Sequence, residues 1–140
     1  MKSNKGVALY DVIIAIIVLS LFVGLIGTLF YQIVYNNGLI KYNAIATHFA
    51  VRVAEDIDKI SYENVTSQYL NNYISNATNS DNTKIYNLPE DFNITVNVRN
   101  YNENDNSKED ILKIATIEVS YRCFNQDFSY KLRKLKIKEL

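Results

Sequence analysis

Between Val12 and Tyr31 the sequence VIIAIIVLSLFVGLIGTLFY runs for twenty residues without a charge or a proline. A helix rises ~1.5 Å per residue, so this stretch reaches roughly 30 Å, the thickness of a bilayer's hydrocarbon core. The expectation is a membrane-inserted helix. What precedes it constrains it further. Lys2 and Lys5 sit on a short leader ending in Gly6, and Asp11 stands at the lip of the apolar run. A carboxylate at a membrane entry is expensive to bury, which by default makes Asp11 a functional position.

A secretory signal has an apolar region of about 7 to 15 residues with a small-residue cleavage site after it. Here the run is longer, and no A-x-A pattern follows it through Ile40. The expected processing point lies ahead of the run, at Gly6/Val7, which keeps the helix on the mature chain. By the positive-inside rule Lys2 and Lys5 hold the N-terminus in the cytoplasm, and everything after Tyr31 is expected on the outer side.

The basic leader ending in Gly6, the acid five residues beyond it and the uncharged run together resemble a type IV prepilin. The resemblance implies that a prepilin peptidase cuts after Gly6 and that the freed amino group of Val7 is methylated. It also implies that Asp11 on one subunit offsets that positive charge on its neighbour. The family usually carries an aromatic residue after the Gly and Glu at the acidic position; Val7 and Asp11 depart from both.

Beyond the apolar run, QIVYNNG from Gln32 to Gly38 is a polar interruption whose Asn36, Asn37 and Gly38 weaken a helix. A local kink or unwinding is expected there, without an end to the helix. Ile45, Phe49, Val53, Ile57 and Ile60 then recur every three or four residues, with Ala46, Ala50 and Ala54 beside them. This second half must cover something on one side.

The head follows. Thr66 is placed to cap a short helix carrying Tyr69, Leu70, Tyr73 and Ile74, and Asn76 to Lys84 reads as a polar loop. From Phe92 the period changes to two: Phe92, Ile94, Val96 and Val98 alternate with polar residues, as in a half-buried strand. After a polar loop, Asn100 to Asp110, a second strand from Ile111 to Cys123 carries Ala115, Ile117, Val119, Tyr121 and Cys123 on one face. Asn125 to Asp127 reads as a tight connection to a third strand beginning Phe128, Tyr130, Leu132. There the alternation slips at Arg133 and Lys134, which predicts a bulge or bend.

The expected organisation is a leader (1–6), a membrane or filament-core half-helix (7–34), an amphipathic half-helix (35–62) and a globular head (63–140). The fold class is α+β: a long N-terminal helix packed on a small three- to four-stranded antiparallel sheet. This arrangement is similar to pilins and pseudopilins as a class. AIATHFAVRVAEDIDKI (Ala44–Ile60) and the closing strands look most like the minor pilins and minor pseudopilins of type II secretion.

Lys plus Arg equals Asp plus Glu at 15 each, so net charge demands neither nucleic acid nor an anionic surface. The basic run Lys131, Arg133, Lys134, Lys136 and Lys138 leaves only a weak possibility of DNA contact, and edge-strand protection is the expected role. Cys123 is the single cysteine, which excludes an internal disulfide and a Cys-based zinc site; a buried structural thiol is expected. His48, the one histidine, reads as a surface or interface residue. The acids Glu103, Asp105, Glu109 and Asp110 lack calcium-loop spacing with its glycine and read as a solvated turn. No Ser-His-Asp set, phosphate loop or paired catalytic carboxylates emerges, so neither an enzyme nor a metal or cofactor is expected.

The function expected is a minor structural subunit of a type IV pilus or of a secretion or competence pseudopilus. Its expected partners are other pilin subunits, the prepilin peptidase, an inner-membrane assembly platform and the membrane before assembly. The alternative is an uncleaved single-span membrane protein with an outer binding domain.

Overall fold

A computed structural model of the chain describes residues 5–79, 88–101 and 111–138. The order of elements is α1 (Lys5–Lys59), a 3-10 turn (Tyr62–Asn64), α2 (Ser67–Asn79), β1 (Phe92–Asn100), β2 (Leu112–Cys123) and β3 (Gln126–Ile137). The chain divides into two units, residues 1–39 and 40–140, and α1 runs through both. The polar interruption from Gln32 to Gly38 does not end the helix, as its weak but tolerated helix formers allow.

In the first unit every described side chain from Leu9 to Val34 is exposed. Leu9, Phe30 and Tyr31 are each at least two-thirds accessible. The helix is long and apolar enough to cross a membrane.

In the second unit α1 becomes one-sided. Ala46, Phe49, Ala50, Val53, Ala54 and Ile57 are buried, whereas Ile45 and Ile60 at the ends of the stripe are only half-buried. The alanines are therefore buried along with the larger residues of the stripe. β1, β2 and β3 form one antiparallel sheet in that order. Phe92, Ile94 and Val96 of β1 and Ala115, Ile117, Val119, Tyr121 and Cys123 of β2 are buried against the helix. At one end Tyr42 stacks on Phe92 (5.5 Å between ring centroids) and lies 6.0 Å from Tyr121, which in turn stacks on Phe128 at 5.7 Å. Burying a side chain such as Ile57 contributes about 1.5–3 kcal/mol, so a few such contacts hold the head together without a disulfide.

The Thr66 cap forms as its position suggests: the Tyr69 amide donates to Thr66 Oγ1 at 3.2 Å. α2 then continues through Asn79, so the expected loop from Asn76 begins at least four residues late. Ala77, buried at 5 % exposure, supplies the reason: together with Leu70 and Ile74 it extends the helix's apolar face by one more turn.

Two expectations for β3 are corrected. The tight turn is Phe124–Asn125, with φ of 50° and 63°, and Gln126 already pairs with Cys123. Left-handed backbone at both central residues matches the twist of the flanking strands, which forms the tight hairpin even without a glycine. The bulge at Arg133 and Lys134 is absent: register with β2 is continuous from Cys123↔Gln126 to Leu112↔Ile137. The pleat instead carries Lys134 and Lys136 onto the inner face and leaves Leu135 and Ile137 exposed outside. The inner face accepts lysines there because it meets the end of α1 rather than its apolar stripe. Lys134 Nζ lies 2.7 Å from Asp58 Oδ2, and Lys136 Nζ donates to the Asp58 carbonyl at 2.8 Å. Lys113, from the adjacent strand, donates to the Tyr62 carbonyl at 2.9 Å and stands 4.5 Å over the Tyr62 ring. Cations at the carbonyl end of a helix meet its unpaired acceptors and its negative dipole end.

Candidate functional site

Among the described residues the first unit is a helix that presents its surface. Two polar side chains interrupt the apolar run, and both are satisfied within the helix. Ser20 Oγ donates to the Ile17 carbonyl at 2.7 Å, and Thr28 Oγ1 to the Leu25 carbonyl at 2.8 Å. Neither needs a partner from outside, so neither opposes a lipid or apolar protein environment. Tyr31 and Tyr35, one turn apart, stack at 6.2 Å where the run gives way to polar sequence, a placement suited to a membrane interface.

Asp11 is different in kind. It is exposed, it lies along the same side of the helix as Ile14, Ala15, Val18 and Phe22, and no hydrogen bond or ion pair holds it among the described residues. A carboxylate beside such a stripe has two inexpensive fates: hydration at the headgroup level, or a cation from another molecule. Gly6 and Val7 fall within α1 as backbone, and Met1 to Asn4 of the leader lie outside the described residues. Gly24 and Gly27 are open: a β-carbon built on either meets nothing within 4 Å. Nothing among the described residues requires glycine at these positions.

The remaining candidates belong to the head. His48 is exposed, with its ring 5.6 Å from that of Phe49. Cys123 is buried with a free thiol. The cations of β3 are largely engaged: besides Lys134 and Lys136, Lys131 pairs with Glu118 on β2 at 3.1 Å. Glu103, Asp105, Glu109 and Asp110 lie outside the described residues. Next to the hairpin turn, Arg122 Nε and an Nη of the same side chain donate to Asp127 at 2.8 and 3.3 Å. Those hydrogen bonds, and then the guanidinium charge, hold the Asp127 carboxyl below its usual range. Burial raises the Tyr121 hydroxyl above the usual range of a tyrosine.

One arrangement escaped the sequence reading. On α2, Ser67 and Asn71 are one turn apart, and both face the free edge of β1. Asn71 Oδ1 accepts from the Val96 amide at 2.8 Å, and its Nδ2 donates to the Val96 carbonyl at 2.9 Å. Ser67 Oγ accepts from the Val98 amide at 2.7 Å. Four residues of helix rise about as far as two of strand, so side chains at that spacing can stand in for a neighbouring strand. The sequence signal, Ser and Asn four apart on a helix, is too common to have been selected from.

Comparison of the chain with protein-family models, with curated proteins and with solved structures returns no match.

Proposed function

We propose that the chain is a minor subunit of a type IV pilus or a related pseudopilus. On this reading it is inserted by its apolar half-helix, trimmed after Gly6 by a prepilin peptidase and then packed through that helix among other subunits on an inner-membrane assembly platform. The observation that supports this best is the change of character within α1: exposed from Leu9 to Val34 and apolar all round from Val12 to Tyr31, then buried on one side from Ala46 to Ile57. The second half is consumed by the head, and the first is left for other molecules. A simple anchor needs only the apolar run. Asp11, without a partner among the described residues, stands beside that run and gives it an additional use.

In this proposal the freed amino group of Val7 on one subunit pairs with Asp11 of the next. Bringing two charges together at the edge of lipid removes two desolvation penalties at once, which favours assembly over residence as a free span. Asp11→Ala then leaves membrane insertion intact and lowers incorporation into filaments, whereas Asp11→Glu retains it. Incorporation is read by immunoblotting sheared filaments against membranes. Equal incorporation of wild type and Asp11→Ala removes Asp11 from the mechanism.

A further inference from the structure

The two edges of the sheet are treated differently. The edge of β1 is closed by Ser67 and Asn71 of α2. The edge of β3 has no neighbour among the described residues, although β3 is as long as β2. Cys123 and Gln126 close the hairpin, so the even-numbered residues from Gln126 to Lys136 exchange backbone hydrogen bonds with β2. The odd-numbered residues from Ser129 to Ile137 therefore turn their N–H and C=O groups to the open side. A long regular edge of this kind is a template for another strand.

Its side chains limit what can pair there. A second β3 is disfavoured, because antiparallel pairing of two such edges sets Lys131 and Arg133 against cations of their own kind. On the inner face Phe128, Tyr130 and Leu132 are only half-buried, leaving apolar surface for a neighbour. On the outer face Arg133 is exposed and has no ion-pair partner among the described residues. We infer that β3 accepts an extended segment of another protein in which apolar and acidic residues alternate. The apolar side chains continue the inner face beyond Phe128 and Leu132, and the acids lie beside Lys131 and Arg133. Backbone pairing supplies affinity and the alternating side chains supply selection. The inference concerns the head alone and holds whether or not the chain enters a filament.

The test uses the full chain in detergent micelles and two short peptides, one alternating Val with Glu and the other Val with Lys. Amide hydrogen exchange is followed residue by residue. The Val/Glu peptide is expected to slow exchange at Lys131, Arg133 and Leu135 by about tenfold and to leave β1 unchanged. Arg133→Pro removes an outward N–H that β2 does not use, and is expected to abolish that protection. Arg133→Glu covers the case in which the proline variant does not fold; it is expected to weaken the Val/Glu peptide about fivefold and to strengthen the Val/Lys peptide. Equal binding of the two peptides, no protection of β3, or a preference unmoved by Arg133→Glu overturns the inference.

Discussion

The two halves of α1 belong to one helix and differ in where their partners are. From Ala46 to Ile57 the apolar side chains are buried by strands of the same chain. From Leu9 to Val34 they are at least as apolar, yet none is covered. The difference teaches that apolarity alone does not place a residue in a core. A stripe on one face is matched by one sheet, whereas a helix apolar all round exceeds what a head of this size can cover and needs lipid or other helices.

The largest effect is expected inside the covered half. Ile57→Ala should destabilise the head by about 2–5 kcal/mol, through lost burial and an unfilled cavity, whereas Ile16→Ala should leave head stability within about 0.5 kcal/mol. Urea unfolding in micelles, read from the tyrosines of the head, measures both. A comparable loss in Ile16→Ala would break the comparison.

Next is the polar counterpart of that burial. Asn71→Ala strands the amide and carbonyl of Val96 at a part-buried edge, and should cost about 1–3 kcal/mol in the same assay. In the uncovered half, Gly24→Ala should instead favour the isolated helix by up to about 1 kcal/mol, since its new methyl meets nothing in the chain. If Gly24→Ala nevertheless reduces filament incorporation, the cause lies in a neighbouring subunit, which sharpens the distinction between the halves.

The smallest effect belongs to an exposed pair within the head. Arg122 lowers the pKa of Asp127, so the pair contributes stability at neutral pH and loses it as pH falls through that lowered value. The difference between wild type and Asp127→Asn should therefore be present above about pH 4 and vanish in stronger acid. A difference that grew on acidification would contradict the assignment.

Much of this architecture is legible in the sequence because periodicity reports burial directly. The stripe from Phe49 to Ile57 and the alternation from Phe92 to Val96 each follow a single rule over several residues. The readings that needed correction lie where two rules compete. At Arg133 and Lys134 the hydrophobic alternation slips while the pleat stays regular, because the inner face is not apolar along its whole length. Lys134 and Lys136 face inward to meet the carbonyl end of α1. At Phe124 and Asn125 the turn lacked the usual glycine, and the left-handed backbone could not be read from residue type. Of the candidate site, Asp11 was legible because a carboxylate at the lip of an uncharged run is conspicuous in the sequence. Ser67 and Asn71 were invisible because their role depends on which strand lies opposite.

The proposed function rests on removal of the leader with retention of the apolar helix, and intact-mass measurement of the protein from membranes with and without the prepilin peptidase tests that directly. The account predicts a chain beginning at Val7, with or without a methyl group, only where the peptidase is present. Retention of Met1 to Gly6 in both samples would contradict it and leave an uncleaved single-span protein in its place.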